Sequence, residues 1–369
     1  MHKTSAWPLA LIYAALIIYA SLFPFVEWRD QGVPPWAYLW QPWPRYWTGF
    51  DVAINVVGYA PFGFLLAVSA LRTGRGRNAV LVASLTGVGM SLAMETLQGY
   101  LPSRVASNLD FGLNALGCWG GAALAALLER LGALARWSRI RERWFVADAR
   151  GGLVLLALWP FALLFPAAVP LGLGQVMERL EANLAQLLAD TPFLGWLPLR
   201  EVELQPMLPG AELLCVLLGA LIPCLLGFCI VRGGRRRGML AMGVVATGIA
   251  VTALSSALSF GPAHAWDWFG LPVQFGFSAA FVLAGFLMFM PRRVCAALVL
   301  LCLGIYLSVL NQAPHGPYLE QTLQTWEQGR FIRFNGVAQW LAWLWPYVAL
   351  VYVLVRVGKA ESSSVGNLK

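Results

Sequence analysis

The sequence predicts an all-α, polytopic transmembrane helical bundle of about ten spans, with both termini cytoplasmic. Three observations carry that prediction. Of 369 residues, 59% are hydrophobic and only 12% are charged. That is about half the ~25% charge of soluble domains, too little to clothe a water-soluble globule of this size. The apolar residues gather in ten runs, each near the roughly 20 residues that cross ~30 Å of hydrocarbon. The basic residues fall in alternate connections between those runs. A β-barrel would need alternating strands of roughly 10 residues, and the sequence has no such pattern.

The first run, 7–26, lacks a small-residue cleavage site and ends in Phe23-Pro24-Phe25. It therefore reads as a span and not as a cleaved leader. The loop 27–50 carries Trp28, Trp36, Trp40, Trp43 and Trp47 with Tyr38 and Tyr46, while Pro42 and Pro44 exclude a regular helix through it. Such indoles form an interfacial belt, N–H in water and ring in lipid, or a stacking platform for a sugar ring or lipid headgroup. Runs 52–71, 79–97 and 111–128 complete an N-terminal membrane domain, 1–130. A basic cytoplasmic linker, 131–150, follows. Runs 152–171, 211–231, 239–258, 273–290, 294–312 and 336–356 make a second membrane region, 151–358, before a cytoplasmic tail, 359–369. Pro61, Pro160 and Pro223 are compatible with spans, because neighbouring helices satisfy the backbone groups that proline frees. Two amphipathic segments, 175–189 and Tyr318–Phe334, are expected to lie on the outer surface.

Orientation follows from the basic residues. Arg72, Arg75 and Arg77, the arginines from Arg130 to Arg150, Arg232 with Arg235–Arg237, Arg292 and Arg293, and Arg356 all fall on one side. The positive-inside rule makes that side cytoplasmic. It also accounts for the net charge of +8, so no nucleic-acid partner is inferred. All six cysteines fall inside runs, without metal-ligand spacing, and read as small packing residues. His264 with Asp267, and His315 with Glu320, could each be read as a catalytic pair, but neither has a third group nearby in sequence. No metal or cofactor is expected.

The informative region is 51–121. Ionisable groups within spans cost about 2.5–3.5 kcal/mol each at mid-helix, so they sit near ends, face other helices and pair. The second run opens with Asp51 and, one turn deeper, Asn55. The third approaches the outer side with Ser91, Glu95 and Gln98. The fourth re-enters with Asp110 and Asn114. All three stripes converge at the outer end. Ser107 is the expected N-cap of the fourth helix, and Arg104 is the nearby cation for Asp51, Glu95 and Asp110. Gly117 and Gly121 form a small-xxx-small pair for close helix packing.

Asp51-x3-Asn55-x5-Pro61-x-Gly63-Phe64, followed by Glu95-x2-Gln98-x-Tyr100-x-Pro102-x-Arg104-x2-Ser107-x2-Asp110-x3-Asn114-x2-Gly117, resembles the signature of the VanZ-like family of bacterial membrane proteins. Ser21-Leu22-Phe23-Pro24 is similar to that pattern as well. The resemblance covers about residues 8–130 and none of the later runs. It implies a multi-pass protein of the bacterial cytoplasmic (inner) membrane and cell envelope, in a family associated with glycopeptide antibiotic resistance. The polar set it carries over is Asp51, Asn55, Glu95, Gln98, Arg104, Ser107, Asp110 and Asn114. With the topology, these residues suggest an outer-leaflet pocket for a membrane lipid headgroup or a lipid-linked envelope precursor. In that pocket Arg104 would meet a phosphate and the amides would meet sugar or peptide groups. A membrane-embedded enzyme using Glu95 and Asp110 as an acid/base pair, or a transporter, are the alternatives. A sealed polar knot that fixes helix packing is the purely architectural reading.

Overall fold

The computed structural model describes residues 6–23, 25–74, 76–196, 207–312 and 332–366. Its described residues hold twelve α-helices and no β-strand. They are α1 (Ala6–Leu22), α2 (Gly49–Arg72), α3 (Ala79–Gln98), α4 (Asn108–Arg130), α5 (Ala133–Trp144), α6 (Arg150–Ala162), α7 (Met177–Leu188), α8 (Pro209–Ile230), α9 (Gly234–Phe260), α10 (Leu271–Leu287), α11 (Arg292–Leu310) and α12 (Ile332–Gly366). Every one of the ten apolar runs carries a helix. Seven are long and apolar enough to cross a membrane alone, whereas α1, α6 and α10 are shorter. His315, Glu320 and the segment 318–331 lie outside the described residues, as does Pro24.

The chain divides into two compact units, Met1–Arg143 and Trp144–Lys369. In the first, α2 and α4 form the main seam. Lipid offers no hydrophobic drive for two helices to associate, so contact rests on close backbone approach over small residues. A Cβ on Gly63 would strike the carbonyl of Cys118; on Gly117, that of Val56; on Gly121, that of Ala60. Gly87 makes the matching space on α3, against the Cys118 sulfur. Ala67, Ala83, Ala122 and Ala125 continue the small-residue contact and are buried. The stretch expected to be a linker contains α5, whose Leu134 is buried while Trp137 and Ile140 are exposed. Arg72 Nη2 donates to the Leu134 carbonyl, fastening α5 to the end of α2.

In the second unit α8 is the hub. Its sequence is apolar on every face, the pattern of a helix surrounded by others, and it is buried almost continuously from Cys215 to Ile230. The other helices α6, α9, α10 and α11 pack against it, and α12 lies on α6 and α11. Buried Arg237 closes the arginine-rich end, donating to the carbonyls of Met288 (3.0 Å) and Met290 (2.6 Å).

The run 152–171 behaves differently from the single span expected of it. Helix α6 stops at Ala162, and the remainder is irregular but buried at Leu163, Phe165, Val169, Leu171 and Leu173. Pro160 removes one helical donor, and Pro166 and Pro170 prevent resumption. Buried backbone needs partners; turns within the segment and the Ala342 carbonyl supply some, and isolated side chains of other elements supply the rest. Ser255 Oγ donates to the Leu164 carbonyl at 2.8 Å. Tyr306 donates to the Leu171 carbonyl at 2.6 Å and accepts from the Leu173 N–H. Asn311 Oδ1 accepts from the N–H groups of Val176 and Met177, both at 3.1 Å. Tyr347 donates to the Gly174 carbonyl at 3.0 Å. Leu171 holds φ of 62°, in the left-handed region that a leucine seldom enters.

Candidate functional site

The polar residues of α2, α3 and α4 meet at one end of the first unit, and the local sequence explains how each is placed. Thr48 caps α2. Its hydroxyl accepts from the Asp51 N–H at 3.2 Å, and Asp51 Oδ2 accepts from the Thr48 N–H at 2.9 Å and from its hydroxyl at 2.7 Å. This is a capping box, and Asp51 is exposed within it. One turn deeper, Asn55 Nδ2 donates to Asp110 Oδ1 at 2.7 Å, joining α2 to α4. Ser107 is the N-cap of α4: its hydroxyl accepts from the Asp110 N–H at 3.4 Å. The Asp110 carboxylate thus lies at the positive end of that helix. The Ser107 N–H donates to Glu95 Oε2 at 3.0 Å, joining α4 to the last turn of α3. Below this chain, Asn114 Nδ2 donates to Ser91 Oγ at 3.1 Å. Glu95 and Asn114 are 3% and 4% exposed, so the innermost polar pair is sealed from solvent.

Gln98 and Arg104 serve the fourth helix of the group, α1. Gln98 Nε2 donates to the Ser21 carbonyl at 3.1 Å, and Arg104 Nε donates to the Phe23 carbonyl at 3.1 Å. These carbonyls end a helix and have no intrahelical partner. The sequence suggested Arg104 as the cation of the carboxylates. Its fork also reaches the end of α1, because α1 ends at Leu22 and the chain turns through Phe25 and Glu27, both with positive φ.

Two tyrosines complete the cluster and were not among the residues expected there. Tyr59 continues the Asp51–Asn55 stripe at i+4, a spacing that could have identified it. Its hydroxyl is buried beside Ser91, and the Asn114 side-chain oxygen is buried with no hydrogen-bond partner. Tyr38 gives no such signal, being one aromatic among many in its loop. It is 3% exposed and lies on the end of α3, donating to the Leu92 carbonyl at 3.5 Å. Burial pushes its phenol pKa upward, and the nearby Glu95 charge adds to the rise against an opposing hydrogen bond from Thr96. The loop is fastened over this end by Arg29 N–H to the Tyr100 carbonyl (3.0 Å) and Gln31 Nε2 to the Gly99 carbonyl (2.9 Å). Trp36, Trp40, Trp43 and Trp47 do not enter the cluster; all four are exposed.

Chemically, the arrangement is a hydrogen-bonding end with three carboxylates, of which Glu95 is sealed, Asp110 half-buried and Asp51 open. Among the described residues, no group of three metal-ligating side chains is found. Residues 5–129 match the family described as VanZ/LLP1, the same third of the chain that carries the polar motif. No curated protein and no solved structure matches the chain. The second unit lies outside the family match.

Proposed function

We propose that the first unit is a binding module for the polar head of a membrane amphiphile, acting at the outer leaflet of the bacterial cytoplasmic membrane. The head is that of a lipid or of a lipid-linked envelope precursor. One observation carries this reading: the chain Asn55–Asp110–Ser107–Glu95 leads from a half-exposed rim toward a buried polar atom, Asn114 Oδ1, that no protein group satisfies. Buried polar atoms are nearly always satisfied, and an orphaned one calls for an explanation. A sugar hydroxyl or peptide amide reaching inward would satisfy it. The exposed tryptophans lie where the headgroup region would be. The acid/base pair Glu95–Asp110 keeps a membrane enzyme as the second reading, since Ser107 takes its N–H to the Glu95 carboxylate and its hydroxyl to the Asp110 N–H, holding the two residues side by side.

The test uses the full chain in nanodiscs of its host lipids, with co-purified lipids identified by mass spectrometry. The expected result is a retained polar lipid or precursor that Asp110→Asn and Asn55→Ala each release while helical content is kept. Unchanged retention in both variants would leave the cluster as an architectural knot. Turnover of a retained precursor, abolished by Asp110→Asn, would move the reading to an enzyme. If the envelope role extends to glycopeptides, deletion of the gene changes teicoplanin susceptibility and the same two variants fail to restore it.

A further inference from the structure

The break after α6 borders a cavity of about 720 Å3 inside the second unit, a size that suits a small molecule. Residues 163–173 form one wall. Irregular backbone inside a membrane bundle persists where it is buried in protein or lines a cavity, and here it does both. Four side chains from three helices, Ser255, Tyr306, Asn311 and Tyr347, hold it in place. A continuous helix would have needed none of them. Broken helices of this kind form substrate and ion sites in transport proteins.

The rest of the lining defines the chemistry. Glu212 comes from the first turn of α8, Thr252 and Ser256 from the end of α9, and His264, Asp267 and Trp268 from the connection to α10. The Thr252 hydroxyl is buried with no hydrogen-bond partner. His264 Nδ1 lies 2.6 Å from Asp267 Oδ2, an exposed pair at the rim. Among the described lining residues there is no Lys or Arg to balance Glu212 and Asp267. Two helices, α8 and α10, begin at this cavity and two, α6 and α9, end at it. Their dipoles therefore oppose one another, and the formal charges set the sign of the field. Of the lining residues, Trp268 supplies an indole of the type that attracts cations, steadied from outside the cavity by Trp266, with ring centres 6.4 Å apart, and by Phe269 at 5.2 Å. Among the described residues, the arginines beside the start of α6, the α8–α9 turn and the start of α11 lie at the opposite end of the unit, and Arg179 of α7 stands over the Trp343 ring.

We propose that this cavity is a binding site for an organic cation, a protonated amine carried on an apolar body. It is separate in residues and in ligand from the site of the first unit. The experiment uses the full chain in nanodiscs of zwitterionic lipid and the fluorescent probe dansylcadaverine, a primary amine on an apolar arm. The comparison probe has the same arm ending in a carboxylate. The amine is expected to bind saturably and the carboxylate about tenfold or more weakly. Glu212→Gln is expected to weaken the amine by about tenfold. Ala168→Trp, which fills the cavity from its irregular wall, is expected to abolish binding. Asp267→Asn, at the exposed rim, keeps the test valid if the Glu212 variant does not accumulate. Equal affinity for the two probes overturns the proposal, as does an amine affinity that neither Ala168→Trp nor the carboxylate variants alter. Free ethanolamine and a lipid with a primary-amine headgroup are then used as competitors. Displacement by ethanolamine assigns the site to soluble amines, displacement by the lipid alone assigns it to a headgroup, and displacement by neither overturns it. Asp110→Asn in the first unit should leave probe binding unchanged, so this proposal and the headgroup reading fail separately.

Discussion

In the first unit α2 and α4 meet backbone to backbone across Gly63, Gly117 and Gly121, whereas α8 in the second is wrapped on all sides by larger side chains. Their polar groups differ in the same way. In the first unit, side chains bond one another across helices, as Asn55 does with Asp110 and Asn114 with Ser91, and among the bonds described above they reach backbone chiefly at helix ends or turns, such as the end of α1. In the second, single side chains bond to backbone, as Tyr306 does with the broken segment after α6. The contrast teaches that close packing and polar bridging are one device in the first unit: helices drawn near by glycine can share short polar side chains. In the second, packing is independent of polar bonding, and polar bonding serves an irregular segment.

The sharpest way to break this contrast is to separate α2 from α4. Gly121→Leu places a side chain on the Ala60 backbone and should cost about 3 kcal/mol or more. Gly120→Leu, one position away and facing open space, should be nearly neutral. Thermal unfolding in detergent and abundance in the membrane read both. Equal behaviour of the two variants would remove the seam from the account.

Next in size is Tyr306→Phe. It removes two bonds in a fully buried place and leaves the Leu171 carbonyl and the Leu173 N–H only their bond to each other, at a cost of about 1–2 kcal/mol. Tyr347→Phe removes only one bond, to a carbonyl that Asn311 also serves, and should cost about 1 kcal/mol. Thermal unfolding of the two variants in parallel should rank them in that order; the reverse order would mean that the segment is held by packing alone.

How far the sequence spoke follows from the same contrast. Membrane helices are long apolar runs, so a helix was legible in each of the ten runs, seven of them long and apolar enough to cross a membrane. The first unit's cluster was legible because its residues repeat at helical spacing, Asp51–Asn55, Ser91–Glu95–Gln98 and Asp110–Asn114, and the small-xxx-small pair Gly117–Gly121 marked the seam. Tyr306 in α11, Asn311 at the end of α11 and Ser255 in α9 form no pattern along the chain. Their meaning appears only once α6 is seen to break, and Pro160, Pro166 and Pro170 did not announce the break because interior prolines are tolerated in membrane helices. Tyr38 was illegible for another reason: nothing along a loop full of aromatics distinguishes the one that turns inward.

A smaller effect, confined to alkaline pH, tests whether that loop belongs with the cluster. Burial and the Glu95 charge raise the Tyr38 pKa above its ordinary value. The neutral phenol is therefore the form the fold prefers. Its contribution is fully present below the ordinary phenol range, near pH 10, and is lost as pH rises through the raised value. Proteolysis within 27–48 should accelerate over that window in the native chain and lose its pH dependence in Tyr38→Phe. A Phe variant with the same alkaline profile would place the transition elsewhere.

The smallest effect decides what Asp51 is for. As half of a capping box it should be worth about 1 kcal/mol, and Thr48→Ala, which removes the other half, should cost about the same. A headgroup contact would behave otherwise. The carboxylate would then matter to lipid retention while the threonine would not. Thermal unfolding and retained lipid measured on both variants separate the two roles. Equal small losses of stability with unchanged retention leave Asp51 as the cap that starts α2, and the binding rim then begins at Asn55. A loss of retention in Asp51→Ala alone extends the rim outward by one helical turn, into the reach of the loop tryptophans.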